Sequence, residues 1–114
     1  MTAVLALGER PEITRYRTQD PEAVDAFLAR YPFLLPLLAE AIAPLEAAFG
    51  PDTPFVVALE RDPEVAGWEE LRVDIATTLE ADDAGHRLDA FDTAWWLDHA
   101  PAAQGKLFFT LAFV

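Results

Sequence analysis

The sequence contains no cysteine, no serine and no asparagine, and Lys106 is its only lysine. Without cysteine the chain can form no disulfide, no cysteine-ligated metal site and no cysteine nucleophile. Without serine it can form no serine-based catalytic triad. Its five glycines are isolated, so that no glycine-rich phosphate loop is present, which disfavours a nucleotide enzyme. We expect no cofactor and no metal ion.

Basic residues are also scarce. Eight Lys and Arg stand against 20 Asp and Glu, which gives a net charge of −12. Nucleic acids and anionic membranes require clustered basic side chains, so that direct binding to either is disfavoured, whereas a basic protein partner would be attracted. Prolines and acids interrupt the longest apolar segment, and we expect no membrane span, no signal peptide and a cytoplasmic location.

The chain does contain enough apolar residues for a hydrophobic core. Hydrophobic residues make up 53% of the sequence, which is too many for a disordered protein even at this net charge. The length of 114 residues is that of one domain. We predict a single domain over residues 20–114. Residues 1–19 are interpreted as a tail that is disordered, or that folds onto the domain or onto a neighbouring chain as a short strand.

Capping residues and apolar spacing predict three helices, over about residues 20–30, 32–49 and 81–99. The first has Asp20 as its N-cap and Pro21 at its first helical position. In the second, Pro44 is expected to produce a kink. Alternating apolar residues predict strands from Pro54, over residues 71–78 and over residues 106–114.

The resulting order is ααββαβ, which indicates an α+β domain with a small, mainly antiparallel three-stranded sheet. The last strand is expected beside the first or the second strand. Its inward side chains are predicted to be Leu107, Phe109, Leu111 and Phe113. The other face of the sheet is unusually apolar, so that either the first two helices or another molecule should cover it. We expect the protein to form a homodimer, in which the last strand could pair edge to edge.

Two adjacent tryptophans lie among acids in the stretch FDTAWWLDH. Trp95 continues an apolar stripe of the third helix and is predicted to be core. Trp96 is rotated from it by about 100° and lies near Asp89 and Asp92, so that it either covers the rim of the core or anchors a partner. Trp68 beside two acids repeats this pattern. If Trp68 and Trp96 are both exposed on one side of the fold, an aromatic and acidic patch suited to an Arg-rich surface results, formed by Trp96, Trp68, Asp92, Asp89, Glu69 and Glu70.

The two histidines are candidates for metal or acid–base chemistry. His86 lies three and four residues from acids, at the spacing of helical metal ligands, although a solvated helix face is the favoured interpretation. His99 is expected to stabilise the end of the third helix.

The residues from Tyr31 to Phe113 resemble a group of small uncharacterised bacterial proteins that are common in cyanobacteria. The resemblance rests on a helix with the pattern FD-x-x-WWLD followed by a strand that begins GKL, which here are Phe91 to Asp98 and Gly105 to Leu107. It implies a shared fold. It identifies no catalytic residue, because the group has no assigned activity.

These observations favour a noncatalytic protein-binding or regulatory module, antitoxin-like or accessory, that presents an acidic surface to a basic protein. An acidic mimic that blocks a nucleic-acid-binding protein is an alternative, and it requires a row of surface carboxylates. A small enzyme that uses carboxylates, histidine or a metal is another, and it requires a pocket where His86 or His99 meets acids.

Overall fold

A computed structural model of the chain describes residues 14–65 and 67–114. The first half of this part contains strand β1 (Tyr16–Thr18), helix α1 (Pro21–Arg30), helix α2 (Leu34–Phe49) and strand β2 (Phe55–Arg61). The second half contains strand β3 (Glu69–Thr77), helix α3 (Ala81–Phe91), a π-helical turn (Asp92–Trp96), helix α4 (Leu97–His99), a 3₁₀ turn (Ala100–Ala103) and strand β4 (Leu107–Phe113).

The predicted start of α1 is confirmed. A side-chain oxygen of Asp20 accepts a hydrogen bond from the backbone N–H of Ala23 at 3.4 Å, and Pro21 lies in the first turn. Helix α2 begins at Leu34 and continues through Pro44 to Phe49. Gly50 ends it with a positive φ of 97°, a conformation that glycine adopts without strain.

The sheet is mixed and has four strands in the order β1-β2-β3-β4. β2 and β3 are antiparallel, whereas β1 runs parallel to β2 and β4 runs parallel to β3. The α+β class is confirmed, and the prediction of a mainly antiparallel, three-stranded sheet is wrong. Its extra strand is β1, which lies in the segment assigned to the tail. β4 is parallel to β3 because the intervening helix returns the chain to the start of β3 before the next strand begins.

Residues 14–19 are the only part of the predicted tail within the described residues, and residues 1–13 lie outside them. Besides the pairing of β1 with β2, the hydroxyl of Tyr16 donates a hydrogen bond to the backbone oxygen of Leu38 at 2.7 Å. Gln19 donates its backbone N–H to the oxygen of Val57 at 2.9 Å. This segment therefore joins the sheet to α2.

One face of the sheet carries the hydrophobic core. The buried side chains of α1, α2 and α3 join a single cluster with the inward residues of the sheet. These inward residues are Tyr16, Phe55, Val57, Leu71, Val73, Ile75, Leu107 and Phe109. The prediction for the end of the last strand is wrong, because Phe113 is 56% exposed. β4 is an edge strand, so that its last side chain has a neighbouring strand on one side only.

The opposite, outer face of the sheet is not covered by α1 or α2, which pack on the core side. Its centre carries Arg72, whose guanidinium is paired with the carboxylates of Glu60 and Asp74. Small and apolar side chains surround this network and are half-buried, among them Val56, Ala76, Phe108 and Ala112. The prediction that the first two helices cover this face is therefore wrong, and the alternative cover, another molecule, stays a prediction.

No single helix in the described part of the chain is long and apolar enough to cross a bilayer. Helices α1 and α2 meet the length and composition limits only when taken together, and they are bent by 116° where they join.

Candidate functional site

The double tryptophan lies on a π-helical turn, Asp92–Trp96, between α3 and α4. The backbone N–H of Leu97 bonds to the oxygen of Asp92, five residues earlier, which makes this turn wider than an α-helical one. The indoles of Trp95 and Trp96 both reach the ring of Phe109 on β4, at centroid distances of 6.3 Å and 4.9 Å. The wider turn lets two neighbouring side chains face the same strand.

Trp95 is a core residue, as predicted. It is 9% exposed, lies 5.9 Å from the ring of Phe91 and stacks on the imidazole of His99 at 4.4 Å. The Nδ1 atom of His99 lies 2.7 Å from the backbone oxygen of Trp95 and holds the imidazole in this stack. These contacts account for Trp95 by packing alone.

Trp96 packs on the rim of the core and keeps part of its surface exposed. Its ring meets Phe109 edge to face and stacks against Trp95 at 6.0 Å. The side chain is half-buried, which satisfies the rim interpretation. An indole that is packed on one side and open on the other is also the form that aromatic anchors take at protein interfaces.

The two sides of α3 have different neighbours. On one side, Nη1 of Arg87 donates to the backbone oxygen of Ala48 at 3.2 Å, and Ala90 and Ala94 line a groove of about 160 Å³ with residues of α2. By the angular spacing of the helix, Asp89, Asp92 and Trp96 lie on the side away from Arg87 and Ala90, and Trp96 contacts Phe109 of β4. We name these three residues the acidic flank.

The two carboxylates of the acidic flank differ from most acids near an arginine, because no ion pair of the described residues includes them. Burial raises the pKa of Asp92, and the charge of Asp89 raises it further. The folded protein therefore holds two acids close enough to repel each other, next to an aromatic ring.

Elsewhere most arginines are already paired with carboxylates. The pairs are Arg15 with Glu46, Arg30 and Arg61 with Glu69, Arg72 with Glu60 and Asp74, and Arg87 with Asp83. Because these pairs cancel charge locally, much of the excess negative charge lies on other acids. On the segment from α3 to α4 these acids are Asp82, Asp89, Asp92 and Asp98.

The second half of the predicted patch, around Trp68, is arranged differently. Trp68 is 40% exposed and precedes β3. Glu69 is paired with Arg61 at 2.7 Å and with Arg30 at 3.9 Å, so that its charge is largely neutralised.

Glu70 points to the outer face of the sheet, because its neighbour Leu71 points into the core. Burial raises the pKa of Glu70, the charge of Glu60 raises it further, and Lys106 opposes the shift. Among the described residues, Trp68 makes no aromatic ring contact, whereas Trp96 makes two. The structure thus brings together Trp96, Asp92 and Asp89, and it leaves Trp68, Glu69 and Glu70 outside that group.

Neither histidine lies in a group that could hold a metal ion, since no cluster of three His, Cys, Asp or Glu is found in the described ranges. His86 is exposed on α3. The Nε2 atom of His99 lies 4.0 Å from a carboxylate oxygen of Glu40, and its Nδ1 atom contacts the backbone oxygen of Trp95. His99 therefore serves the packing of the helix end.

Reasoning from the sequence missed the π-helical turn and the position of the acidic flank beside an edge strand. The sequence carries no direct signal for either feature, because both depend on contacts of the two indoles with Phe109 of β4.

No protein-family model, no curated protein and no solved structure gives a significant match to this sequence.

Proposed function

We propose that this chain is a noncatalytic module that binds a basic protein through its acidic flank, and that it acts as a regulatory or accessory subunit. The observation that carries the proposal is the pair of carboxylates, Asp89 and Asp92, which no basic side chain of the described residues neutralises, beside the partly exposed indole of Trp96. An arginine of a partner would relieve the repulsion between the two acids and stack on the indole.

The location of the charge supports the same conclusion. Arginines neutralise carboxylates on α2 and in the sheet, whereas the acids beside Trp96 have no such partner in the described residues. Unpaired charge of one sign at the rim of an aromatic contact steers an oppositely charged protein and sets specificity. The cytoplasmic location stays a prediction.

The test is a pull-down with the tagged full-length chain from an extract of the organism that encodes it, at low and at high salt. The variant is the double substitution Asp89→Asn and Asp92→Asn. Its matched control is Glu22→Gln with Glu64→Gln, which removes the same charge from exposed positions away from the flank. Trp96→Ala is less suitable, since it also removes packing from Phe109.

We expect one basic protein to be retained at low salt by the wild type and by the control, and to be lost at high salt and with the Asp89 and Asp92 variant. Equal retention by all three proteins would contradict the proposal, because any acidic surface would then suffice. Retention that survives high salt would contradict it as well, since exposed charge pairs are screened when the Debye length falls to about 3 Å at 1 M salt.

The acidic mimic is a second candidate, favoured by the spacing of acids along α3. Asp82 and Asp89 are seven residues apart, which places them on one side of the helix about 10 Å from each other. If the captured partner binds nucleic acid in the absence of this chain and no longer binds it in the complex, the mimic is supported. If it keeps that activity, the regulatory module is favoured.

A further inference from the structure

The edge strand β4 contacts Trp96 of the acidic flank, and no strand of the described residues pairs with its outer side. Its seven residues, LFFTLAF, include no charged residue, no proline and no glycine. Natural sheets usually protect an edge with charge, with proline or by shortening it, because its unpaired backbone groups attract other strands. The opposite edge, β1, follows this rule: it has three residues and carries the exposed Arg17.

The hydrogen bonds of β4 to β3 show which backbone groups are left. Lys106 accepts a bond from the N–H of Leu71 at 2.8 Å, and Val114 donates to the oxygen of Thr77 at 3.1 Å. Backbone direction alternates along a strand, so that the residues with even numbers between these two also face β3. The outward amides and carbonyls belong to Leu107, Phe109, Leu111 and Phe113.

We infer that the basic partner binds by adding a strand to β4, with its basic side chains on the acidic flank. This inference rests on the proposed function and names the binding mode and the class of partner segment. An added strand would lie about 4.8 Å from β4 and satisfy its outward backbone groups. It would also cover Phe113, which is 56% exposed.

The two faces of the added strand would meet different chemistry. On the core side, alternate side chains would lie near Trp96, Asp92 and Leu111, where an arginine can lay its aliphatic stem on the apolar surface and bring its guanidinium to the carboxylates. On the outer face, the other side chains would adjoin Phe108 and Thr110. The expected segment alternates arginine with β-branched apolar residues.

A second copy of this chain is a poorer occupant of the same edge. Antiparallel pairing about a two-fold axis at Thr110 would set Phe109 opposite Leu111 of the other copy and would satisfy the same backbone groups. It would also bring the acidic flanks of the two copies to the same side of one continuous sheet, near each other. Like charges placed across a pair of strands are destabilising, so that charge complementarity favours a basic segment.

The test is backbone amide hydrogen exchange by NMR on the full-length, ¹⁵N-labelled chain. The probe is a blocked peptide of alternating valine and arginine, about as long as β4, and the control peptide alternates valine and glutamate. Without peptide, the outward amides of Leu107, Phe109, Leu111 and Phe113 should exchange faster than those of Phe108, Thr110 and Ala112. With the arginine peptide at ten times its Kd, exchange of the outward amides should slow by about tenfold.

Three results would overturn the inference. If the peptide binds in a manner that needs Asp89 and Asp92 but the outward amides exchange as before, strand addition is wrong and the proposed function stands. If no binding depends on these acids, the proposed function fails as well. If protection rises with protein concentration in the absence of peptide, the edge serves a homodimer instead.

A proline variant separates the edge from the flank. Leu111→Pro removes an outward N–H without breaking a bond to β3, and Phe113→Pro does the same at the end of the strand if the first variant is poorly folded. Either variant should abolish the protection and weaken binding of the arginine peptide at least about tenfold, although the acids are intact. Unchanged affinity in a folded proline variant would overturn strand addition.

Discussion

The sequence places a tryptophan beside two acids twice, and the fold treats the two places differently. At the start of β3, Trp68 is followed by Glu69, which lies between two arginines, and by Glu70, which faces the other side of the sheet. At the end of α3, Trp96 is packed on Phe109, and Asp89 and Asp92 have no basic partner in the described part of the chain. Both places combine a tryptophan with two acids, but only at the start of β3 is one of the acids, Glu69, paired with arginines.

This difference shows that a charged motif is a candidate site only after its partners in the fold are known. Arg30 and Arg61 come from α1 and β2, and they convert Glu69 into a structural ion pair. No residue of the described chain does the same for Asp92, whose pKa is raised by burial and by Asp89. A charge that the fold leaves unfavourable is a common sign of a functional site.

The largest expected effect concerns packing at the two tryptophans. Trp96→Ala should lower the free energy of unfolding by about 2–3 kcal/mol, because it removes a half-buried indole from Phe109 and Trp95. Trp68→Ala should cost less than about 1 kcal/mol, since this ring is 40% exposed and makes no ring contact in the described structure. Urea unfolding followed by circular dichroism measures both, and equal losses would remove the contrast between the two places.

A smaller loss of stability is expected at Glu69, whose charge is neutralised by two arginines. Glu69→Gln should lower the free energy of unfolding by about 0.5–1 kcal/mol, because the variant weakens the pairs with Arg61 and Arg30, whose side chains are 60% and 65% exposed. The loss should shrink at high salt. A gain in stability would show that Glu69 is no better neutralised than Asp92.

The smallest effect is expected at Asp92, where removing the charge should increase stability. The folded pKa of Asp92 is raised above its ordinary value of 3.8, so that at a pH between the two values the folded state binds more protons than the unfolded state. The contribution of this group to stability therefore falls as the pH rises from the ordinary value through the raised one. Asp92→Asn should stabilise the protein at neutral pH by up to about 0.5 kcal/mol, since Asp92 is partly exposed.

Thermal unfolding at neutral pH and again below the ordinary pKa of Asp92 measures this effect. We expect the stabilisation by Asp92→Asn to vanish in the acidic sample, where the carboxyl is protonated in both the folded and the unfolded state. A stabilisation that is the same at both pH values would mean that charge is not its cause.

Several parts of the fold could be predicted because their determinants are local. Asp20 and Pro21 fix the start of α1, and the alternation of Leu71, Val73 and Ile75 fixes the buried face of β3. The prediction that Trp95 is core is confirmed for the same reason, since its apolar stripe is contained within one helix.

The remaining features depend on contacts between distant segments. The pairing of Tyr16 with Phe55 makes β1 a strand, and the sequence around Tyr16 alone gives only a weak signal for it. The direction of β4 follows from the path of α3 across the sheet, and the neutralisation of Glu69 needs an arginine from α1. The position of the acidic flank beside an edge strand combines all of these contacts, which is why the candidate site could be predicted only in part.

The most direct test of the account compares Asp92→Asn with Glu70→Gln, which is its matched control. Each carboxyl has a pKa raised by burial and by a neighbouring acid, but Glu70 lies on the outer face of the sheet. The affinity of the peptide of alternating valine and arginine is measured by titration against both variants and the wild type. We predict that Asp92→Asn weakens binding about fivefold, as expected for the loss of about 1 kcal/mol of a charge pair, and that Glu70→Gln leaves it unchanged. Equal affinities of the two variants would contradict the claim that the acidic flank is the binding site.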